Sequence, residues 1–171
     1  WFAPQDIDVL CIQELKAKEE QVPEEAKPEG YHRFYHIAEK PGYSGVALYS
    51  KVKPDAVHVG LASIDPDVDW SDMDFEGRLV MADFGKLSIM SVYFPSGSSS
   101  DERQAAKMSF LERFLPLFNR LKDEGRELVL CADVNICHKE IDLKNWRGNR
   151  KHSGFLPEER EWMEKLNHES G

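Results

Sequence analysis

Basic residues are in short supply. Across 171 residues, 22 Lys and Arg face 31 Asp and Glu, a formal net charge of −9. Phosphate is bound mostly by Lys and Arg, so this deficit argues against a general nucleic-acid coat protein; an enzyme with a local basic surface around an acidic metal site stays open. Long apolar runs are missing too. No stretch approaches the 18 or so apolar residues of a transmembrane helix, and no basic segment leads into an apolar one as in a secretory signal. Cysteine is rare. Cys11, Cys131 and Cys137 form neither a C-x-x-C pair nor a zinc spacing, which favours a reducing compartment and buried thiols. Internal repeats and low-complexity linkers are absent, so one domain over residues 1–171 is expected. The chain opens at Trp1 rather than Met, and the expectation is a piece of a longer protein, truncated at both ends.

The remaining composition, 41% apolar and 31% charged, is that of a globular domain and not of a disordered polyelectrolyte. Strands and helices alternate along it. Val9-Leu10-Cys11-Ile12 and Leu128-Val129-Leu130-Cys131-Ala132 are unbroken apolar runs, as strands buried on both faces would read. Lys16 to Ala26 reads as a short polar helix broken by Pro23. Short strands are expected over 45–49 and 56–59. A hairpin is expected from 79–84 and 87–93, joined by Gly85-Lys86. After the loop Pro95-Ser96-Gly97-Ser98-Ser99-Ser100 comes the longest helix, with Ser99-x-x-Glu102 as its capping box and Gly125 closing it. Met108, Leu111, Leu115 and Phe118 form one apolar stripe; Phe110, Phe114, Leu117 and Leu121 form a second beside it. Two stripes make a face wide enough to lie on a sheet. Pro116 should kink that helix, and Pro157-Glu158-Glu159 should start another.

The chemistry gathers at strand ends. Glu14 and Asp133 both follow apolar strands, and Asn135 projects to the same side as Asp133 if the backbone stays extended. Carboxylates with a neutral amide can hold a hard cation through oxygen and orient a water. On spacing alone, such acids fit helix caps or solvated strand ends equally well, and Tyr93 fits a core tyrosine. His138 reads as a brace for the loop after Asp133, and Glu140 with Asp142 as a solvated turn.

Five stretches in order widen the view: Asp8-Val9-Leu10-Cys11-Ile12-Gln13-Glu14, Gly42-Tyr43-Ser44-Gly45-Val46, Glu76-Gly77-Arg78, Tyr93-Phe94-Pro95-Ser96-Gly97 and Asp133-Val134-Asn135. A block from His138 through Asn145, Gly148-Asn149 and Gly154-Phe155 to Glu159-Arg160 follows. With these, the chain resembles the exonuclease III family of apurinic/apyrimidinic (AP) endonucleases within the endonuclease/exonuclease/phosphatase superfamily. The resemblance implies an α/β fold: a four-layer, DNase I-like sandwich of two mixed β-sheets packed face to face with helices outside. It implies Mg²⁺- or Mn²⁺-dependent phosphodiester hydrolysis at abasic sites, with 3′→5′ exonuclease or 3′-phosphatase activity. The implied partner is double-stranded DNA bearing abasic sites, met by a monomer without a membrane, in a bacterial cytoplasm and nucleoid or a eukaryotic nucleus. Two rivals stand beside this: a superfamily phosphoesterase acting on a small phosphorylated substrate, and a non-catalytic DNA-binding module.

Carried over by resemblance, Glu14 binds the metal, Asp133 activates or orients the attacking water, Asn135 contacts the scissile phosphate and the Tyr93 hydroxyl donates to a developing oxyanion. Asn149 contacts the DNA backbone, and Tyr43 and Arg78 lie in stretches that approach DNA. Arg147 and Arg150 join them from the residues themselves, as basic residues of a phosphate-facing loop. The family's upstream Asn-bearing strand and downstream Asp-His pair would lie outside this chain, so these 171 residues alone are expected to be inactive.

Overall fold

The computed structural model describes residues 5–169. They divide into two compact units, one taking in residues 5–93 and 125–133, the other residues 94–124 and 134–169.

The first unit holds seven strands in two sheets. β1 (Val9–Gln13), β2 (His32–His36) and β3 (Val46–Ser50) form one in the order β1-β3-β2. β4 (Ala56–Val59), β5 (Leu79–Phe84), β6 (Leu87–Tyr93) and β7 (Glu127–Asp133) form the other in chain order. The three-stranded sheet is antiparallel throughout, with Cys11 opposite Leu48 and Phe34 opposite Leu48 from the other side. The four-stranded sheet is mixed: β4, β5 and β6 alternate in direction, then β6 and β7 run parallel. A parallel return needs a long crossover, and the one here carries the longest helix. Val46, Leu48, Val80, Ala82 and Tyr93 make the core between the sheets, with Val9, Cys11, Phe34 and Ile89 packed against it. Two polar ties cross it: Gln13 Nε2 donates to Ser91 Oγ at 3.0 Å, and Ser91 Oγ donates to the Ile12 carbonyl at 3.2 Å.

Central position decides burial. Every residue of β3 is buried, whereas β1 is half-buried along its length and Val129 on β7 is 44% exposed. The expectation that both apolar runs would be covered on both faces is corrected accordingly: each is an edge strand among the described residues. β2 is not evident from the sequence, because His32-Arg33-Phe34-Tyr35-His36 has no apolar run; as an edge strand it needs only Phe34 against the core, while the hydroxyl of Tyr35, on the opposite face, lies 3.0 Å from the Tyr49 hydroxyl. Lys16 to Ala26 forms two 3₁₀ turns, Glu19–Gln21 and Glu24–Ala26, rather than one helix, with Pro23 capping the second. The four-residue helix α1 (Ser71–Asp74) precedes β5.

The second unit is helical. α2 (Asp101–Asp123) runs on through Pro116, and α3 (Trp146–Asn149) and α4 (Pro157–Glu169) follow. The α2 cap is Ser100, whose hydroxyl accepts from Arg103 N at 3.2 Å, one residue later than the Ser99 expected. The helix ends at Gly125, φ +83. Phe110, Phe114, Leu117 and Leu121 are all buried, so the second stripe is the deeper one; Met108 and Leu115 of the first are half-buried. Within the unit this face meets α4 and Phe94. The Phe94 ring lies edge-on at 4.9 Å from Phe110, 4.9 Å from Phe114 and 5.5 Å from Trp162, and the Trp162 indole N–H donates to the Leu111 carbonyl at 2.8 Å. Phe94→Ala removes the hub of this cluster and is expected to lower stability by roughly 3–5 kcal/mol, read as a shift in the urea midpoint.

Candidate active site

The site begins at the end of β1. There Glu14 (φ +56) and Lys16 (φ +53) take left-handed backbone conformations, and Leu15 N and Lys16 N donate to the carbonyls of Gly45 and Ser44. The sharp turn brings Glu14 to Tyr93, the last residue of β6, whose hydroxyl donates to Glu14 Oε1 at 2.8 Å. Lys16 Nζ reaches the same oxygen at 3.0 Å. The Lys16 ammonium and then the Tyr93 hydroxyl hold the Glu14 carboxyl below its ordinary pKa, so it stays ionised further into acid. In the parallel ladder, Tyr93 stands directly beside Asp133, the exposed last residue of β7. A carboxylate, a phenol and a second carboxylate thus share one end of the first unit.

Arg78 underpins this arrangement. Read from the resemblance as DNA-facing, it is instead 1% exposed. Its Nε donates to Glu76 Oε2 at 2.7 Å, its NH1 to the Tyr93 carbonyl at 2.9 Å and its NH2 to the Tyr43 hydroxyl at 3.1 Å. The guanidinium also lies 5.3 Å from the centre of the Tyr93 ring. With these donors engaged inside the protein, Arg78 braces Tyr93 and does not reach outward. The hydroxyl of Tyr43, which is half-buried, donates to Glu76 Oε1 at 3.3 Å, and Lys40 sits over its ring at 5.2 Å. Gly77 between Glu76 and Arg78 is required by space: a Cβ there would come within 2.6 Å of main-chain atoms of His36 and Ala38.

The second unit carries the other candidates. Asn135 has φ +53, so the extended backbone that would project it to the same side as Asp133 is not the one it adopts. Its Nδ2 donates to the Phe94 carbonyl at 3.0 Å, fixing the plane of the amide, and its own carbonyl accepts from Lys107 Nζ at 2.7 Å. Asn149 is held at the end of α3 by a 2.8 Å bond from Nδ2 to the Asn145 carbonyl. It lines an open cavity of about 550 Å³ with Ser98, Ser99, Lys151 and His152. Arg147 and Arg150 are exposed and both lie against Trp146, at 4.6 Å and 4.5 Å from the ring centre. His138 is a brace, with Nε2 2.6 Å from Glu164 Oε1 and its carbonyl accepting from Arg160 Nε. Glu140 and Asp142 form an exposed 3₁₀ turn.

Among the described residues no three His, Cys, Asp or Glu side chains gather into a metal cluster. The donor set at Glu14 suits a hard cation that takes a single carboxylate and keeps most of its water, as Mg²⁺ does. A positive group already sits on that carboxylate in the form of Lys16. The sequence reading missed three contributors: Lys16, Lys107 and the buried acid Glu159. For Lys107 a signal existed, since it falls at i−3 and i−4 from Phe110 and Leu111, on the buried stripe.

Lys16→Met removes the larger of the two contacts that stabilise ionised Glu14. Its titration should then move up towards the ordinary carboxylate range, measured by ¹³C NMR of the labelled Glu carboxyl; an unmoved titration would assign the shift to Tyr93 alone.

An exodeoxyribonuclease of Bacillus subtilis is 37% identical over 161 residues, covering 94% of this chain and 60% of its own. The DNA repair nuclease APEX1 of Danio rerio is 37% identical over 173 residues, covering 97% and 52%. The chain therefore spans between half and three-fifths of these curated relatives. A solved AP endonuclease structure from Archaeoglobus fulgidus matches 98% of this chain and 62% of its own with a TM-score of 0.80 at 28% identity, and the two sheets with their helices share its DNase I-like fold. The family pattern itself runs through residues 1–169, from the Glu14 turn past Asp133 and Glu159, and on that ground the chain belongs to the Endonuclease/Exonuclease/phosphatase family.

Proposed function

We propose that the protein of which this chain is part is a DNA-repair nuclease that hydrolyses the phosphodiester at abasic sites in double-stranded DNA, with 3′→5′ exonuclease or 3′-phosphatase activity on the same site. The observation that carries the reading is the 2.8 Å bond between Tyr93 and Glu14 with Asp133 in register beside Tyr93. The names of the relatives, an exodeoxyribonuclease and a DNA repair nuclease, support it.

A phosphodiester is anionic, so attack on it needs its charge neutralised and its oxygens bound by donors. Glu14 is the residue that would hold Mg²⁺, and the ion would supply the positive charge that a phosphoryl oxygen needs as the bond breaks. The chain's own groups do the rest. Asp133, at a rigid strand end, orients a water and takes its proton. The Tyr93 hydroxyl and the Asn135 amide donate to phosphoryl oxygens. Arg78 keeps Tyr93 in place from below through its carbonyl and ring. Asn149, Arg147 and Arg150 meet backbone phosphates, which positions the strand without reading its sequence. The protein works as a monomer, in the cytoplasm and nucleoid of a bacterium or in a nucleus. No described helix is long and apolar enough to cross a membrane.

In the intact protein, Asp133→Asn should keep the fold and lower turnover on an abasic duplex by about 10²-fold or more, while Glu14→Gln should raise the Mg²⁺ concentration needed for half-maximal rate. Cleavage of inositol phosphates but not of abasic DNA by the unaltered protein would favour the small-substrate rival, and activity unaffected by both substitutions would remove the site.

Arg147→Gln with Arg150→Gln should weaken DNA binding equally across sequences and reduce the slope of log affinity against log salt by up to about one per lost phosphate contact. A sequence-selective loss in a fluorescence-anisotropy titration would contradict the backbone role.

A further inference from the structure

Lys107 on α2 and Glu159 on α4 form an ion pair from which water is excluded. Both side chains are 0% exposed, with Nζ 2.7 Å from Oε1. Burying two charges carries a desolvation cost that their attraction often does no more than offset, and well-packed apolar residues commonly serve stability as well. Stability alone therefore does not account for the pair. Its other hydrogen bonds do. Glu159 Oε1 also accepts from Gln104 Nε2 at 3.1 Å, and Oε2 accepts from Gly154 N at 2.7 Å and Leu156 N at 3.0 Å. The ammonium so anchored donates to the Asn135 carbonyl at 2.7 Å. Gly154 in turn takes the Cys137 N–H on its carbonyl at 2.8 Å. The segment 135–137 is thus held at both ends by groups that converge on one buried carboxylate.

What is held is an uncommon conformation. Asn135 has φ +53. Asn adopts this region more readily than most residues, yet non-glycine residues keep it only where the surroundings over-determine it. Gly154 adds to that constraint: at φ +92 it presents no side chain, and a Cβ there would stand 3.3 Å from the Asn135 carbonyl. An extended residue 135 would carry its amide away from the Phe94 carbonyl that fixes it.

We propose that the Lys107–Glu159 pair is a positioning device, which locks Asn135 in its left-handed backbone conformation and so aims the Asn135 amide at the phosphate being hydrolysed. This rests on Asn135 being a phosphate ligand, as proposed above. Neither Lys107 nor Glu159 touches substrate; both act through Asn135.

The test uses the intact protein and three changes: Asn135→Ala, the double substitution Lys107→Met with Glu159→Gln, and all three together. The double variant removes the donor to Asn135 without leaving a buried charge unpaired. It should lower kcat on an abasic duplex roughly 10- to 10²-fold, the scale on which a displacement of about 1 Å acts, and leave KM within a few-fold. Its thermal midpoint should change little, and amide exchange at Cys137 should speed up. In the Asn135→Ala background it should slow the enzyme no further. If Asn135→Ala is slow and the double variant keeps the unaltered kcat, the positioning role is overturned. A kcat loss that persists in full in the Asn135→Ala background, or that tracks a fall in thermal midpoint, overturns it too. If Asn135→Ala itself cleaves at the unaltered rate, the phosphate-ligand reading is what fails. Should the double variant not fold, Lys107→Met with Glu159→Met, an apolar pair of similar volume, answers the same question.

Discussion

The shared direction of β6 and β7 is the constraint on which the candidate site depends. Because the two strands run parallel and in register from Leu87 opposite Glu127 to Tyr93 opposite Asp133, both release their last side chains at the same end. An antiparallel return would set Asp133 beside Leu87, a strand length from Tyr93. The long connection that carries α2 is what makes the parallel return possible, since a tight turn reverses direction. β6 lies between β5 and β7, so the strand that offers Tyr93 is held from both sides, and the polar ties through Ser91 fix it to β1, whose end offers Glu14.

The shortage of positive charge takes on a sharper meaning once the basic residues are placed. Arg78 and Lys107 are buried against Glu76 and Glu159. Arg126 reaches Asp83 at 3.1 Å, on a carboxylate that also accepts from Ser88 and lies 3.0 Å from His58 Nε2. These cations balance buried acids. Among the exposed cations, Arg147, Arg150 and Lys151 stand close together in sequence, and Trp146 gathers two guanidinium groups at one ring. An acidic protein can meet a polyanion on such terms when the attraction is local, because charges beyond a Debye length of about 8–10 Å are screened at physiological salt.

Much of this is legible in the sequence. Glu14, Asp133 and the strands behind them stand out because an apolar run ending in an acid is a local pattern. So are Gly125 as a helix stop and the hairpin around Gly85. What could not be read was set by partners distant in the chain. The exposure of β1 and β7 depends on which strands flank them, and β2 survives as a strand because it sits at an edge and needs few apolar residues. Three consecutive serines are chemically equivalent caps, so Ser99 and Ser100 were not separable by residue type. Arg78 looked available for DNA because its hairpin partner Tyr93 and its neighbour Tyr43 come together only in three dimensions. The left-handed backbone of Asn135 is not legible locally, because the groups that hold it, Lys107 and Gly154, are distant in the chain.

Glu14, Lys16 and Ser44 all sit with φ near +50, on two chain segments that hydrogen-bond to each other. Each such residue stores about 1–3 kcal/mol of backbone strain. Glycine would relax the backbone at all three positions, yet the outcomes would diverge. At 44 it would also delete a buried hydroxyl that has no hydrogen-bond partner among the described residues, so two sources of instability would go together. At 14 it would delete the carboxylate. A search for heat-tolerant variants would thus gain most at 44, whereas at 14 the same relaxation would cost the carboxylate that the proposed chemistry uses, and there selection for stability and selection for turnover would pull in opposite directions.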